Sequence, residues 1–455
     1  MHMSFKSLSI LLILLLFSSI IISCTLTAKA EVSQSTLGFY LGVDAAFGDV
    51  AQTEQLIDNV SSYTNFFVIG CEQQIGENGS FGVYNETRLT VISQYVYNKG
   101  MNFIVYSDDP TYPSKQWIVN ATENYGGRFM GIYYLDEPGG KQLDHAKWMP
   151  VTSAENFANA ADQYVNKLKS ATVAITNSFE YPTQYPLYTS DYGLYWYDYA
   201  GGYNTVFAEL GLNSGNENYS RQLALALCRG AATAFNQNWG AMITYATTKA
   251  PYMENSTQLY GDMLLAYENG AKYIVVFDSN PSFTKSILDT TQLGAIEQFW
   301  QYAKTNPRTV SQPSDRSAYV LPQDFGYSFR SPNDTVWGLW NANWDGTTSL
   351  AFVADVSMCI VTFIQMFGTK LDIIYPIIDG TVQSIRYQNV IYWNETSLVP
   401  NMPSMPAASY AAVHSDTSQP YDAKEIELYA GLTALAVVVL IAVVVVSFRR
   451  RNAPA

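Results

Sequence analysis

The chain has 455 residues, 48% of them hydrophobic and 14% charged, and a formal net charge of −14. An acidic chain with no basic patch before its last residues argues against a nucleic-acid partner. Four cysteines are too few for a disulfide scaffold, so the fold must rest on a large apolar core, with length enough for two domains.

The N-terminus has a weakly basic start ending at Lys6, an apolar run over residues 8–22, and then Ala28-Lys29-Ala30. This is the layout of a secretory signal, 1–30, cleaved after Ala30. Cys24, after Ile21-Ile22-Ser23, loosely resembles a lipoprotein cleavage box, a weaker alternative because a second anchor is expected at the far end. Cys71, Cys228 and Cys359 then remain, enough for one disulfide. Sequons at Asn59, Asn78, Asn85, Asn120, Asn218, Asn255, Asn333 and Asn394 permit N-glycosylation of an exported glycoprotein.

Short apolar runs alternate with helical patterns along the next 270 residues. Strands are expected at 37–43, 65–70, 102–107, 130–135, 172–176, 205–210, 240–245 and 272–277. Their continuous Val, Ile, Phe, Tyr and Ala content suits strands covered on both faces, as in a parallel sheet. Helices are expected at 53–63, 86–98, 153–170, 191–199, 221–235, 258–269 and 292–304, with Gly100 and Gly270 as stops. Eight such units match an α/β fold of the (β/α)8 TIM-barrel type over 35–305. A doubly wound open sheet uses the same alternation, but no glycine-rich phosphate fingerprint follows the first strand.

A polar linker carrying Pro307 and Pro313 leads to a small α/β domain over 318–395, with strands at 318–321, 371–375 and 390–393 and a helix at 348–367. Residues 396–426, rich in Pro, Ser, Ala and Thr, read as a stalk. A transmembrane helix is expected over 427–448, uncharged from 428 onward and long enough to span roughly 30 Å of hydrocarbon. Arg449, Arg450 and Arg451 mark the tail 449–455 as cytoplasmic, which leaves a single-pass protein in the cell membrane with its ectodomain extracellular.

In such a barrel the site lies at the C-terminal ends of the strands. The expected ends carry Asp44, Cys71-Glu72, Asp108-Asp109, Asp136-Glu137, Asn177 with Glu180, Glu209, Tyr245 and Asp278. Of three histidines only His145 falls near the barrel, which disfavours a zinc hydrolase, and no metal or cofactor is implied. Acid clusters of this kind also cleave glycosidic bonds, where one carboxyl protonates the leaving oxygen and another attacks or activates water. Glu137, beside Asp136 and framed by Tyr133, Tyr134 and Pro138, has surroundings that raise a carboxyl pKa.

The run Gly131-Ile132-Tyr133-Tyr134-Leu135-Asp136-Glu137-Pro138 resembles the fourth-strand motif of clan A-type glycoside hydrolase barrels, with Asp136 where that motif has Asn. The resemblance implies that Glu137 is the acid/base. It also implies a nucleophile at the end of strand seven, where this chain has no carboxylate; Glu209 on strand six is the nearest substitute. Sugar rings also stack on aromatic faces, and Tyr192, Tyr195, Trp196, Tyr197, Tyr199 and Tyr203 crowd into twelve residues. The expected catalytic pair is therefore Glu137 and Glu209. The expected substrate-binding residues are Asp44, Asp108, Asp136, Asn177, Tyr197, Trp239, Tyr245 and Asp278. The function expected is a membrane-anchored extracellular glycoside hydrolase with a carbohydrate substrate. The alternatives are a non-catalytic carbohydrate-binding protein or a structural envelope protein on the same barrel.

Overall fold

The computed structural model describes residues 38–47, 49–70, 85–145, 150–178, 185–212, 218–330, 334–342, 352–376 and 387–394. The expected signal segment, stalk, membrane helix and tail lie outside the described residues, as do Cys71-Glu72 and Glu180.

Eight parallel strands close into a barrel in sequence order. They are β1 (Tyr40–Ala45), β2 (Phe66–Ile69), β3 (Asn102–Ser107), β4 (Phe129–Tyr134), β5 (Leu187–Asp191), β6 (Thr205–Leu210), β7 (Asn238–Ile243) and β8 (Tyr273–Asp278). The helices outside it are α1 (Val50–Val60), α2 (Glu86–Asn98), α3 (Lys115–Tyr125), α4 (Pro138–Leu143), α5 (Phe157–Ser178), α6 (Tyr195–Ala200), α7 (Asn218–Phe235), α8 (Ser256–Glu268) and α9 (Thr290–Thr305). Their starts follow local chemistry. Asp49, Asn85, Ser114, Asn255 and Asp289 each accept first-turn N–H groups, and Asp289 completes a capping box with Gln292. Gly100 and Gly270 follow α2 and α8 at φ of 74° and 89°, the left-handed turn that a side chain disfavours.

The fifth strand corrects the sequence expectation. Residues 172–176 belong to α5, not to a strand. Tyr164, Leu168, Thr172 and Ile175 are buried at helical spacing, so the 3.6-residue stripe overrides the β-branched run Thr172-Val173 and Ile175-Thr176. The true β5 lies at Leu187–Asp191. The helix α3, absent from the expectation, buries Trp117, Ile118, Ala121 and Tyr125 on one face.

Inward positions alternate along each strand. Phe66, Val68, Ile104, Tyr133, Tyr188, Phe207, Met242, Tyr273 and Val275 form one interior cluster. Tyr40 stacks on Tyr273 at 5.0 Å between centroids, and Tyr188 meets Tyr273 edge-on at 5.6 Å. These rings fit because Gly42 and Gly240 lack side chains: a Cβ at Gly42 would lie 2.5 Å from the Phe66 carbonyl oxygen. The lower barrel is thus filled by these side chains.

Beyond the barrel, β9 (Ser317–Val320) lies between β12 (Leu371–Ile374) and β13 (Asn389–Tyr392) in a parallel sheet, beside a short hairpin of β10 (Thr335–Val336) and β11 (Trp340–Asn341). The helix α10 (Phe352–Phe367) covers that sheet with Val356, Ile360, Phe363 and Ile364. It is the one helix among the described residues with the length and apolarity to cross a membrane, but its buried stripe packs in this domain. The sheet is clamped to the barrel by Arg229 of α7. Its guanidinium donates to Asp372 at 2.7 Å, to the Leu371 carbonyl at 2.8 Å and to Asn269 at 2.9 Å. Arg316 adds an ion pair to Asp372 at 3.1 Å. Gly230 allows the approach, since a Cβ there would stand 2.3 Å from the Ile373 carbonyl oxygen.

Candidate active site

A cavity of about 280 Å³ opens at the C-terminal end of the barrel. Its floor is built from the last inward positions of the strands: Asp44, Tyr106, Tyr133, Glu209, Met242 and Phe277, with Gly70 and Thr244 just beyond their strands. Asp136, Glu137, Leu212, Tyr245 and Phe283 complete the wall. Glu209 arrives there by period two: Thr205, Phe207 and Glu209 share the inner face of β6. Glu137 arrives by a sharp turn. Leu135 and Glu137 both hold left-handed conformations, at φ of 57° and 51°, one residue either side of Asp136. Such positions cost of order 1 kcal/mol or more each and persist where the surroundings fix them. Here Leu135 N donates to the Ser107 carbonyl at 3.0 Å, Glu137 N to the Ser190 carbonyl at 3.0 Å, and Thr189 to the Leu135 carbonyl at 2.8 Å.

Asp191, at the end of β5, is the anchor of this turn. Its buried carboxylate accepts four backbone N–H groups: Gly139 at 2.5 Å, Gly140 at 2.8 Å, Tyr192 at 2.7 Å and Gly193 at 3.0 Å. It therefore caps α4 from a neighbouring strand and fixes the helix on whose first turn Glu137 stands. Burial raises its carboxyl to about 6, against the pull of those N–H donors. A Cβ at Gly139 would lie 2.7 Å from that carboxylate, so the glycine pair makes room for the cap.

The floor is a connected network. Tyr133 Oη lies 2.5 Å from Asp136 Oδ1 and 2.7 Å from Ser190 Oγ. Ser190 Oγ lies 2.9 Å from Asp136 Oδ1 and 2.7 Å from Glu209 Oε1. Glu209 in turn shares a hydrogen bond with Glu137. Two hydroxyl protons cannot fill all these contacts, so carboxyl protons must contribute. Burial, then the charge of Asp136, raises Glu137 to about 8. Burial and the charges of Glu137 and Asp136 push Glu209 well above the carboxylate range. Asp44 is raised by burial and by its neighbours Asp136 and Asp278. Acids this close cannot all ionise, and the Glu137/Glu209 pair holds a proton near neutral pH.

The structure brings Glu137, Glu209, Asp44, Asp136 and Tyr245 into one cavity. It places the other expected residues elsewhere. Asp278 is fully buried on the outer side of β8 and accepts from Ser286 Oγ at 2.8 Å and Ile287 N at 2.7 Å, so it ties down the loop before α9. Asp108 is exposed beyond β3 and does not line the cavity. Asn177 sits exposed near the C-terminal end of α5, because the strand expected there is a helix. Trp239 is the second residue of β7, at the N-terminal end opposite the rim. Tyr197 is buried on α6 against Trp337 and Tyr375, at 4.6 and 5.3 Å between centroids. Most of the aromatic cluster joins the barrel to the second domain instead of facing sugar. His145 is exposed after α4 and does not line the cavity. No group of His, Cys, Asp and Glu among the described residues has metal-binding geometry.

Sequence reasoning missed Ser190 and Asp191. The signal was present: Leu187-Tyr188-Thr189-Ser190-Asp191 follows Pro186 and precedes Gly193, an apolar-polar run between two breakers.

No protein-family model and no curated protein sequence matches the chain. Solved structures do share its fold. The β-galactosidase of the Antarctic haloarchaeon Halorubrum lacusprofundi superposes with a TM-score of 0.51 at 10% identity, over 78% of this chain and 69% of that one. A variant of GH5_18 from Streptomyces cattleya, in complex with Manb1-4GlcNAc, gives 0.49 at 10% identity over 78% and 99%. The β-galactosidase of Rahnella sp. R3 gives 0.49 at 10% identity over 79% and 67%. The barrel fold is thus one that a β-galactosidase shares, in line with the resemblance carried by the fourth-strand motif.

Proposed function

We propose that the protein is a glycoside hydrolase acting on a poly- or oligosaccharide, with Glu137 and Glu209 as its carboxyl pair. One observation carries this reading: two acids, Glu209 on β6 and Glu137 in the turn after β4, meet in the rim cavity. Glu137, held protonated and set on the first turn of a capped helix, protonates the leaving glycosidic oxygen. Glu209, beneath it in the floor and fed by Ser190, serves as the base for water or as the nucleophile. Substrate must part the two carboxyls, which lie within hydrogen-bonding reach of each other. A barrel fold shared with a β-galactosidase is in keeping with a carbohydrate substrate.

A second reading, sugar binding without turnover, is favoured by one feature. The end of β7 offers Thr244 and Tyr245 to the cavity but no acid. The two readings part in a glycan-panel hydrolysis assay on the wild-type protein and on Glu137→Gln and Glu209→Gln. Turnover lost in both variants supports the pair. Equal turnover in either removes that residue from the mechanism. Glycan binding without turnover selects the second reading.

We also propose that this domain is displayed outside the cell on the stalk and anchored by residues 427–448, a reading that rests on the uncharged run and the arginines after it. Protease accessibility of the barrel on intact cells, with the tail protected, is the test. Protection of the barrel would reverse the orientation.

A further inference from the structure

The rim cavity contains an acid that neither role above uses. Asp44 is 3% exposed, lines the cavity, and its Oδ1 has no hydrogen-bond partner. A buried carboxylate oxygen without a donor is rare and costly, because nothing replaces the water it lost. The fold goes out of its way to keep it there. A Cβ on Gly70 would lie 2.0 Å from that oxygen, so the missing side chain at the end of β2 is what leaves it room.

The charge around it is one-sided. Asp44, Asp136, Glu137 and Glu209 all line a space of about 280 Å³, and among the described lining residues there is no lysine, arginine or histidine. The nearest cation on the site helix is Lys141, and its Nζ is occupied by the Asp136 carbonyl oxygen at 2.5 Å. Five aromatic side chains, Tyr106, Tyr133, Tyr245, Phe277 and Phe283, share the rest of the wall with small and aliphatic residues. Tyr106 stands edge-on to Tyr133 at 5.2 Å, and Tyr245 to Phe277 at 5.5 Å. Phe277 is the register partner of Asp44 across β1 and β8. An unpaired carboxyl oxygen among aromatic side chains, with no cationic side chain among the described lining residues, is an environment that favours an ammonium group. A neutral hydroxyl could occupy the Asp44 oxygen but would not favour the ionised form of these crowded carboxyls, as an ammonium group would. An anionic sugar would meet four carboxyls.

We propose that this cavity is a subsite for an amine-bearing sugar, whose ammonium group pairs with Asp44 against the aromatic wall. The proposal rests on the reading of the cavity as a carbohydrate site but not on turnover, so it is tested by binding alone. The full chain is titrated by calorimetry with D-glucosamine, N-acetyl-D-glucosamine and D-glucuronate. These probes share a pyranose scaffold and carry, respectively, a cationic amine, its neutral amide, and an anion. The expected result is glucosamine binding at least tenfold tighter than N-acetylglucosamine, and no measurable glucuronate binding. Asp44→Asn should bring glucosamine to the level of N-acetylglucosamine with an unchanged melting profile. Equal affinities for amine and amide in the wild-type protein overturn the proposal, whatever becomes of the variant. So does an amine preference that survives in Asp44→Asn, and so does the absence of any glucosamine binding. Turnover of neutral glycans through Glu137 and Glu209 with no amine preference would sink this subsite and leave the hydrolase reading standing.

Discussion

The buried carboxyl of the second sheet and those of the barrel rim are treated in opposite ways. Asp372 on the second sheet is fully buried, yet Arg229 and Arg316 both reach it, and Arg229 spends its remaining donors on Asn269 and Leu371. Among the described residues, Glu137, Glu209 and Asp44 at the barrel rim have no salt bridge to arginine or lysine; Lys141 acts on Glu137 only through space, and Ser190 donates to Glu209. Asp372, which serves the fold, is neutralised where it stands. An acid left facing a cavity raises the free energy of the folded state, and a gain elsewhere must offset it.

Perturbing the two clusters should therefore give effects of opposite sign. The largest is expected at the clamp. Arg229→Met leaves Asp372 with one cation and strands the Leu371 carbonyl, and it should lower unfolding free energy by about 3–5 kcal/mol in urea melts. A loss under about 1 kcal/mol would mean that the second sheet docks without it. At the rim, Glu209→Gln replaces a carboxyl that burial and its acidic neighbours hold toward the protonated form with a neutral amide, and should keep or raise the melting temperature at pH 7. Hydrolysis, if the proposed roles hold, should fall by about 10²–10⁴. A clear loss of stability would make Glu209 a structural acid.

The pH dependence sharpens the contrast. The carboxyl of Glu137 is raised from 4.5 to about 8, so over that window the unfolded chain binds fewer protons than the folded one. Its contribution to stability must then decline as pH climbs from 4.5 to about 8. The slope should flatten in Glu137→Gln, and a wild-type stability that rises over the window would contradict the shared proton. The smallest effect is expected at Asp108, exposed and off the cavity. Asp108→Asn should stay within about 0.5 kcal/mol of wild type and leave sugar binding unchanged.

The barrel was largely legible because each strand is a short apolar run ended by polar residues, and most helices carry a clear stripe and cap. What failed was local. At 172–176 β-branched residues continue a helix whose stripe begins at Ala160, and a five-residue window shows the propensity but not the stripe. That slip moved the fifth rim position and hid Asp191, the residue that holds Glu137 in place. Glu209 was legible because an acid inside an apolar strand needs a polar neighbourhood. Tyr197 and Trp239 were misplaced for a different reason. Aromatic density does not reveal which side of a helix faces a second domain, or which end of a strand a ring occupies.

The aromatic filling of the lower barrel has a consequence for traffic. With Tyr40, Tyr188, Phe207 and Tyr273 packed across the interior, the barrel has one mouth and no exit. A polymer cannot thread through it. Whatever reaches the acids does so from the C-terminal rim, and it leaves on the same side. Retreat of the product would then compete with the next arrival for the same opening.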